Sequence, residues 1–215
     1  MTTSDAKGEA NKRLAETICR RLEARGFTAA YVESAQEACD AAAEMIEDGA
    51  LVGIPGTVTV RETGLPERLE EKGCKIVEHW TPGLSAEERK KALLSELEAD
   101  WLVTSANAIA ADGTIVNIDG TGNRVAAISW SPGKLLFIIG INKITPDVES
   151  AIKRAHTTAT PPNAIRLGRK TPCAETGLCA NCNSPDRLCR VVSLLERAPI
   201  GRDCRVLLVG EELGY

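Results

Sequence analysis

Residues 100–143 read DWLVTSANAIAADGTIVNIDGTGNRVAAISWSPGKLLFIIGINK, and this stretch decides the fold. Two apolar runs, Asp100–Ser105 and Thr114–Ile118, flank the Asp112-Gly113 turn, which predicts a β-hairpin or a broken strand pair. The polar loop 119–124 then leads into a short apolar helix. Pro132-Gly133 turns the chain into a strand, Lys134–Ile139, which holds the apolar run Leu135–Ile139.

The same strand–helix alternation extends outward in both directions. A helix over residues 6–25 carries Ala10, Leu14, Ile18 and Leu22 four apart on one face, and Gly26 sits at its cap. Strand Phe27–Val32 follows, then a helix opened by Ser34 with Glu37 and ended by Gly49. Leu51–Ile54 and Lys75–Val77 are short strands separated by a helical stretch broken at Gly64-Leu65-Pro66. Ser85 with Glu88 opens the next helix. On the far side, Thr145-Pro146 begins a helix that runs to about Thr158 and is closed by Pro161-Pro162. Two last runs, Val191–Leu195 and Arg205–Val209, either return to the sheet or build a small lobe. The alternation predicts an α/β fold with a mostly parallel sheet, a cysteine-rich loop and short C-terminal strands. No repeat or low-complexity tract divides the chain, so 1–215 reads as a single domain with a cysteine-rich metal loop, 171–190, within it.

Composition removes whole classes of function. With 43% hydrophobic residues and a net charge of −4, the chain is too apolar and too weakly charged for intrinsic disorder. Its longest apolar runs fall far short of the roughly 18–20 residues a membrane span needs, and MTTSDAKGEANKR lacks the apolar core of a secretory signal. A pI near 5.4 and seven aromatic residues argue against a nucleic-acid surface. The expectation is a cytoplasmic protein with neither nucleic acid nor membrane as partner. Self-association into a homo-oligomer is left open.

Eight cysteines in a reducing compartment point to metal or redox chemistry before disulfides. Cys173, Cys179, Cys182 and Cys189 are spaced C-x5-C-x2-C-x6-C, among turn residues that let the segment wrap an ion. Arg187 and Arg190 flank them, and positive charge stabilises thiolates. One close pair with two outlying cysteines favours an iron–sulfur cluster of the [4Fe-4S] kind. Zinc is the alternative, and reduced thiols or a redox pair Cys179–Cys182 are the metal-free reading. Cys19, Cys39, Cys74 and Cys204 lie in or beside helical and strand-like segments and read as small buried hydrophobes.

Polar loops follow several of the strands. Pro55-Gly56-Thr57-Val58-Thr59 joins a strand to a helix, and its backbone N–H groups with two hydroxyls form an anion cradle. Asn117-Ile118-Asp119-Gly120-Thr121-Gly122-Asn123-Arg124 packs acid, amide, hydroxyl and guanidinium groups into one turn, with glycines for close approach. Thr104-Ser105-Ala106-Asn107 and Gly140-Ile141-Asn142-Lys143 end apolar strands in the same way. Ligands of open α/β sheets gather outside the carboxyl ends of strands, so these loops predict one composite pocket. His79 can reach its rim, whereas His156 lies within a helix. Neither has a partner in the sequence that would complete a hydrolase triad.

TSANAIAADGTIVNIDGTGNRVAA, followed by GINKI and TPCAETGLCANCNSPDRLC, resembles the LUD-domain family, named for lactate utilization. The resemblance covers essentially the whole chain. It implies a core similar to the ribose-5-phosphate isomerase, glucosamine-6-phosphate deaminase and CoA-transferase group, in which a Gly/Thr turn holds phosphate or another anion. Gly56, Thr57 and Thr59 occupy that place. It also implies a role in oxidising lactate or another 2-hydroxy acid through an iron–sulfur assembly with oxidase or electron-transfer subunits. The repeated cysteine triplets of a ferredoxin-type subunit are absent, and no glutamate is placed as a CoA-transferase nucleophile. The expected ligand is therefore a small anionic metabolite. Asp119, Arg124 and Lys143 are the catalytic candidates, with Arg124 and Lys143 as counter-charges. Gly56, Thr57, Thr59, Asn107, Gly120, Thr121, Gly122, Asn123 and Asn142 are the candidates for binding it. A redox-free isomerase-like or transferase-like enzyme and a non-catalytic ligand-binding subunit are the alternatives.

Overall fold

A computed structural model describes residues 2–215. Six parallel strands form the main sheet: β1 (Thr28–Val32), β2 (Leu51–Gly53), β3 (Lys75–Val77), β4 (Trp101–Thr104), β7 (Lys134–Gly140) and β10 (Cys204–Val209). Their spatial order is β1-β10-β7-β4-β2-β3. The remaining strands make a smaller mixed sheet: β5 (Ala108–Ala110), β6 (Ile115–Asp119), β8 (Ile144–Thr145) and β9 (Val191–Leu195), in the order β8-β5-β6-β9.

The alternation of side chains along β7 explains the layering. Leu135, Phe137 and Ile139 pack on one face of the sheet with Ile18 and Leu22 of α1 (Thr3–Glu23) and Ile128 of α6 (Asn123–Ser129). Leu136 and Ile138 pack on the other face with Ala42 of α2 (Ala35–Met45), Val60 of α3 (Val58–Glu62) and Leu69 of α4 (Leu65–Glu71). A parallel strand covered on both sides has no polar alternation, which is what the run Leu135–Ile139 displays. α5 (Ala86–Glu98) opens with the full capping box of Ser85 and Glu88. At α2, Ser34 accepts from the Glu37 backbone, while the Glu37 carboxylate accepts from Glu33 rather than from Ser34. Cys19, Cys39, Cys74 and Cys204 are all buried, as small hydrophobes should be.

Four local expectations need correction. On α1 the buried stripe is Ala15, Ile18, Cys19 and Leu22, while Leu14 is 39% exposed. Steps of four drift around a helix of 3.6 residues per turn, so a face that stays on a sheet alternates steps of three and four. The Asp112-Gly113 turn does close a hairpin, but its first strand is β5. The run Asp100–Ser105 instead supplies β4, at the centre of the main sheet. Pro146 lies just outside α7 (Val148–Arg154), whose cap is Asp147, accepting from the Ser150 backbone. Pro161-Pro162 does not end the helix either. A π-helical turn, 155–159, carries the chain from α7 into α8 (Thr160–Arg166). Prolines lack the N–H a regular helix would need, and the wider turn places them in the first turn of α8, where none is required. The C-terminal strands take both courses the sequence left open: β9 pairs with β6, and β10 inserts between β1 and β7.

No described helix is long and apolar enough to cross a membrane. Gly133 marks the tightest backbone approach, because a Cβ there would stand 2.0 Å from the Ala99 carbonyl oxygen and 2.6 Å from that of Asp100. Gly133→Ala is therefore expected to cost about 2–3 kcal/mol. Urea denaturation reads this as a lowered midpoint with the slope unchanged, and an unaltered midpoint would contradict it.

Candidate functional site

The loops leaving β2, β3, β4, β6 and β7 converge on one cleft of about 210 Å3. Gly56, Thr57, Thr59, Asn107, Asp119, Gly120, Thr121, Asn123, Arg124 and Lys143 all line it. Two expected residues do not. Gly122, with φ +82°, shapes the start of α6. Asn142 holds the C-terminal segment, accepting from the Leu213 backbone at 3.2 Å and donating to the Gly214 carbonyl at 3.3 Å.

The centre of the wall is a network around Arg124. Its guanidinium donates to Asp119 Oδ1 at 3.0 Å, to Asn107 Oδ1 at 2.9 Å and to the Ile118 carbonyl at 2.9 Å. Asp119 Oδ2 accepts the Val125 backbone N–H at 2.7 Å, and Asn107 Oδ1 also accepts the Ile118 N–H. Side-chain exposures of 12% for Arg124 and 9% for Asp119 mean that this ion pair is poorly screened. Its job is to fix the direction of the arginine.

Lys143 sits at the bottom, 3% exposed. Its Nζ donates to the hydroxyls of Thr59 at 2.6 Å and Ser105 at 3.0 Å. The Thr59 hydroxyl in turn donates to the Leu213 carbonyl at 3.4 Å, so Thr59 is engaged with the lysine and the C-terminal segment. Burial brings the Lys143 ammonium from 10.5 down to about 7, helped by the positive charges of Arg154 and Arg124 and opposed by Glu62.

The sequence offered no partner for His79, but the fold provides one. Glu96 of α5, 2% exposed, accepts the His79 backbone N–H at 2.8 Å and lies 2.7 Å from its Nδ1. This carboxylate orients the ring on the cleft wall as second groups orient catalytic histidines. Separation by 17 residues in sequence hid the pair. Beside it Trp80 has the Arg166 guanidinium 4.2 Å and that of Arg61 5.5 Å from its ring. Gly56, at φ +57°, lies where a Cβ would be 2.7 Å from the indole. Arg89, Arg166 and Arg169 also line the cleft, so with Arg124 four guanidinium groups and the Lys143 amine face one side-chain carboxylate, Asp119, which is already paired.

The profile of the LUD domain matches residues 15–209. The chain belongs to the LUD-domain family. A crystal structure of a DUF162 family protein from Deinococcus radiodurans aligns with it at a TM-score of 0.53 and 17% identity, covering 93% of this LUD-domain chain and 98% of that one. That likeness is one of fold. The Pyrococcus horikoshii OT3 translation initiation factor eIF-2B aligns at a TM-score of 0.38 and 16% identity over 53% of this chain and 48% of its own. No curated protein matches in sequence.

The cysteine segment runs beside the cleft of this LUD-domain protein. Cys173 is buried at the start of α9 (Pro172–Thr176), and its sulfur lies 3.3 Å from the Thr171 hydroxyl. Cys189 is also buried, while Cys179 and Cys182 are half-exposed. Arg187 bonds the carbonyls of Cys182 and Cys189, and Lys170 ties down the turn through Asp186 and Ser184. Burial raises the Cys189 thiol, and the Arg187 charge beside it opposes that rise. Among the described residues, no three His, Cys, Asp or Glu side chains are grouped so as to hold a metal ion. The sulfurs as placed do not fit a cluster. Leu188 lies against Gly120 and lines the cleft, which joins this segment to the site.

The Lys143 shift sets a stability profile. Because its folded value is depressed, the unfolded chain binds more protons between about pH 7 and 10.5, and stability rises with pH across that window. Below it both states are protonated and the burial cost is in full, on the order of 5 kcal/mol. Lys143→Met is expected to stabilise the protein most near pH 6 and least near pH 10, read by denaturation across that range. A pH-independent difference would contradict the assignment.

Proposed function

We propose that this LUD-domain protein binds a small anionic metabolite of the 2-hydroxy-acid or 2-oxo-acid kind in the cleft. The observation that carries the reading is the surplus of guanidinium groups: Arg89, Arg124, Arg166 and Arg169 against one side-chain carboxylate, the paired Asp119. In a chain of net charge −4, such a concentration is a local device for an anion rather than a property of the surface. Arg124 is pre-aimed by Asp119 and Asn107 and meets a carboxylate or phosphate with little loss of rotamer freedom. His79, held by Glu96, and Lys143 supply proton-transfer groups on the same walls. The reading places the core with the ribose-5-phosphate isomerase and CoA-transferase group, as one LUD domain over 1–215 working in the cytoplasm. Titration calorimetry with lactate, pyruvate and inorganic phosphate tests it. One of these is expected to bind saturably, with Arg124→Ala weakening it at least about ten-fold, roughly 1.4 kcal/mol. No saturable binding, or an unaffected variant, would sink the proposal.

We also propose, from the spacing of Cys173, Cys179, Cys182 and Cys189, that segment 171–190 takes an iron–sulfur cluster, with zinc as the alternative. Loading requires the segment to close from the arrangement described above. Iron, sulfide and zinc analysis of anaerobically purified protein tests it. Iron with matching sulfide and a broad visible absorption is the expected result. Colourless protein carrying zinc would leave only the structural alternative, and protein with no metal would refute both.

A further inference from the structure

We propose that Lys143 is a nucleophile that captures the carbonyl group of an anionic aldehyde or ketone as an imine. This rests on the anion-binding reading of the cleft and adds the reacting group of the ligand.

The argument begins with what surrounds the nitrogen. Thr59 and Ser105 present hydroxyl oxygens at 2.6 and 3.0 Å, both neutral. Among the described residues no carboxylate comes within ion-pair distance of Nζ; the ion pairs that Asp119 and Glu96 make are with Arg124 and His79. The charges felt most strongly, those of Arg154 and Arg124, are of the same sign. A buried ammonium is normally matched by a carboxylate, and this one is not. The hydrogen-bond inventory suits the neutral amine instead. An uncharged amine has two N–H bonds and one lone pair, and the two hydroxyls take up both N–H bonds. The remaining vertex has no hydrogen-bond partner among the described residues. Gly214 keeps the space beside the nitrogen open, since a Cβ there would stand 3.3 Å from Nζ and 2.3 Å from Thr59 Oγ1.

Burial lowers the ammonium to about 7, so a large share of the amine carries a lone pair near neutrality, unlike an exposed lysine. Arg124, lining the same cleft, holds the anionic group of the ligand. The Nζ lone pair attacks the carbonyl carbon, and the C=O π pair moves to oxygen to give a carbinolamine. That oxygen leaves as water carrying both amine hydrogens, and a C=N bond remains. Amine and carbonyl give imine and water, with no oxidant or reductant. The matching ligand class is a carbonyl compound bearing a neighbouring anion, either a 2-oxo acid or a phosphorylated aldehyde or ketone.

Sodium cyanoborohydride trapping on the full chain tests the step. Pyruvate serves as the carboxylate arm and pyridoxal phosphate as the phosphate arm, with adducts located by peptide mass spectrometry. One reduced adduct per chain is expected at Lys143 from at least one arm, and the arm that labels identifies the anion. Trapping at this position should accelerate as pH rises through about 7. The adduct should vanish in Lys143→Met and Lys143→Arg and persist in Lys91→Ala. Mapping in the unmodified sequence does not depend on any variant folding. If calorimetry detects binding but label falls only on surface lysines or nowhere, the imine is excluded while the anion site stands. If neither anion binds, both readings fall together.

Discussion

The strand β7 is covered on both faces, and the rest of the architecture answers to that requirement. With α1 and α6 over Leu135, Phe137 and Ile139, and α2, α3 and α4 over Leu136 and Ile138, the neighbouring strands must run parallel and be joined by crossovers. Parallel strands deliver all their outgoing loops to one edge. Pro55–Thr59, His79-Trp80, Ser105–Asn107, Asn142-Lys143 and the segment after β10 therefore meet without being close in sequence. The small sheet adds Asp119 and the 119–124 loop to the same edge, because β5 leaves directly from the end of β4.

Inside that edge the electrostatics are deliberately unbalanced. The ion pair of Asp119 and Arg124 fixes a direction, while Lys143 is buried against hydroxyls and faces two arginines. Such an arrangement costs stability when the lysine is protonated. The C-terminal segment completes the enclosure: Leu213 accepts from Thr59, and Gly214 bonds Asn142 and Glu62.

The cysteine segment is organised by different means. Arg187 gathers the carbonyls of Cys182 and Cys189, Asp186 and Ser184 tether it to Lys170, and Leu188 rests on Gly120. A change in this segment would be transmitted to the cleft through the Leu188–Gly120 contact, since the glycine leaves only 3.3 Å for an added Cβ. This contact and the bond from the Arg190 N–H to the Asp119 carbonyl, 3.0 Å, join the two features of the chain that carry chemistry.

Strand and helix order, the parallel character of the core and the membership of Gly56, Asn107, Asp119, Arg124 and Lys143 in one pocket were legible along the chain. Apolar period, caps and the polar character of loops after strands are local signals, written within a few residues. The same locality misled at α1, where steps of four suggested Leu14 for the buried stripe, and at Pro161-Pro162, where a π-helical turn carried the helix on. The pairing of β5 rather than β4 with β6, the partnership of His79 with Glu96 and the engagement of Thr59 by Lys143 belong to tertiary structure alone. So does the arrangement of the four cysteines, among which no three sulfurs gather round one point. Residue type announces what a side chain can do. Which charge is compensated, and which is left facing a ligand, depends on contacts between segments dozens of residues apart.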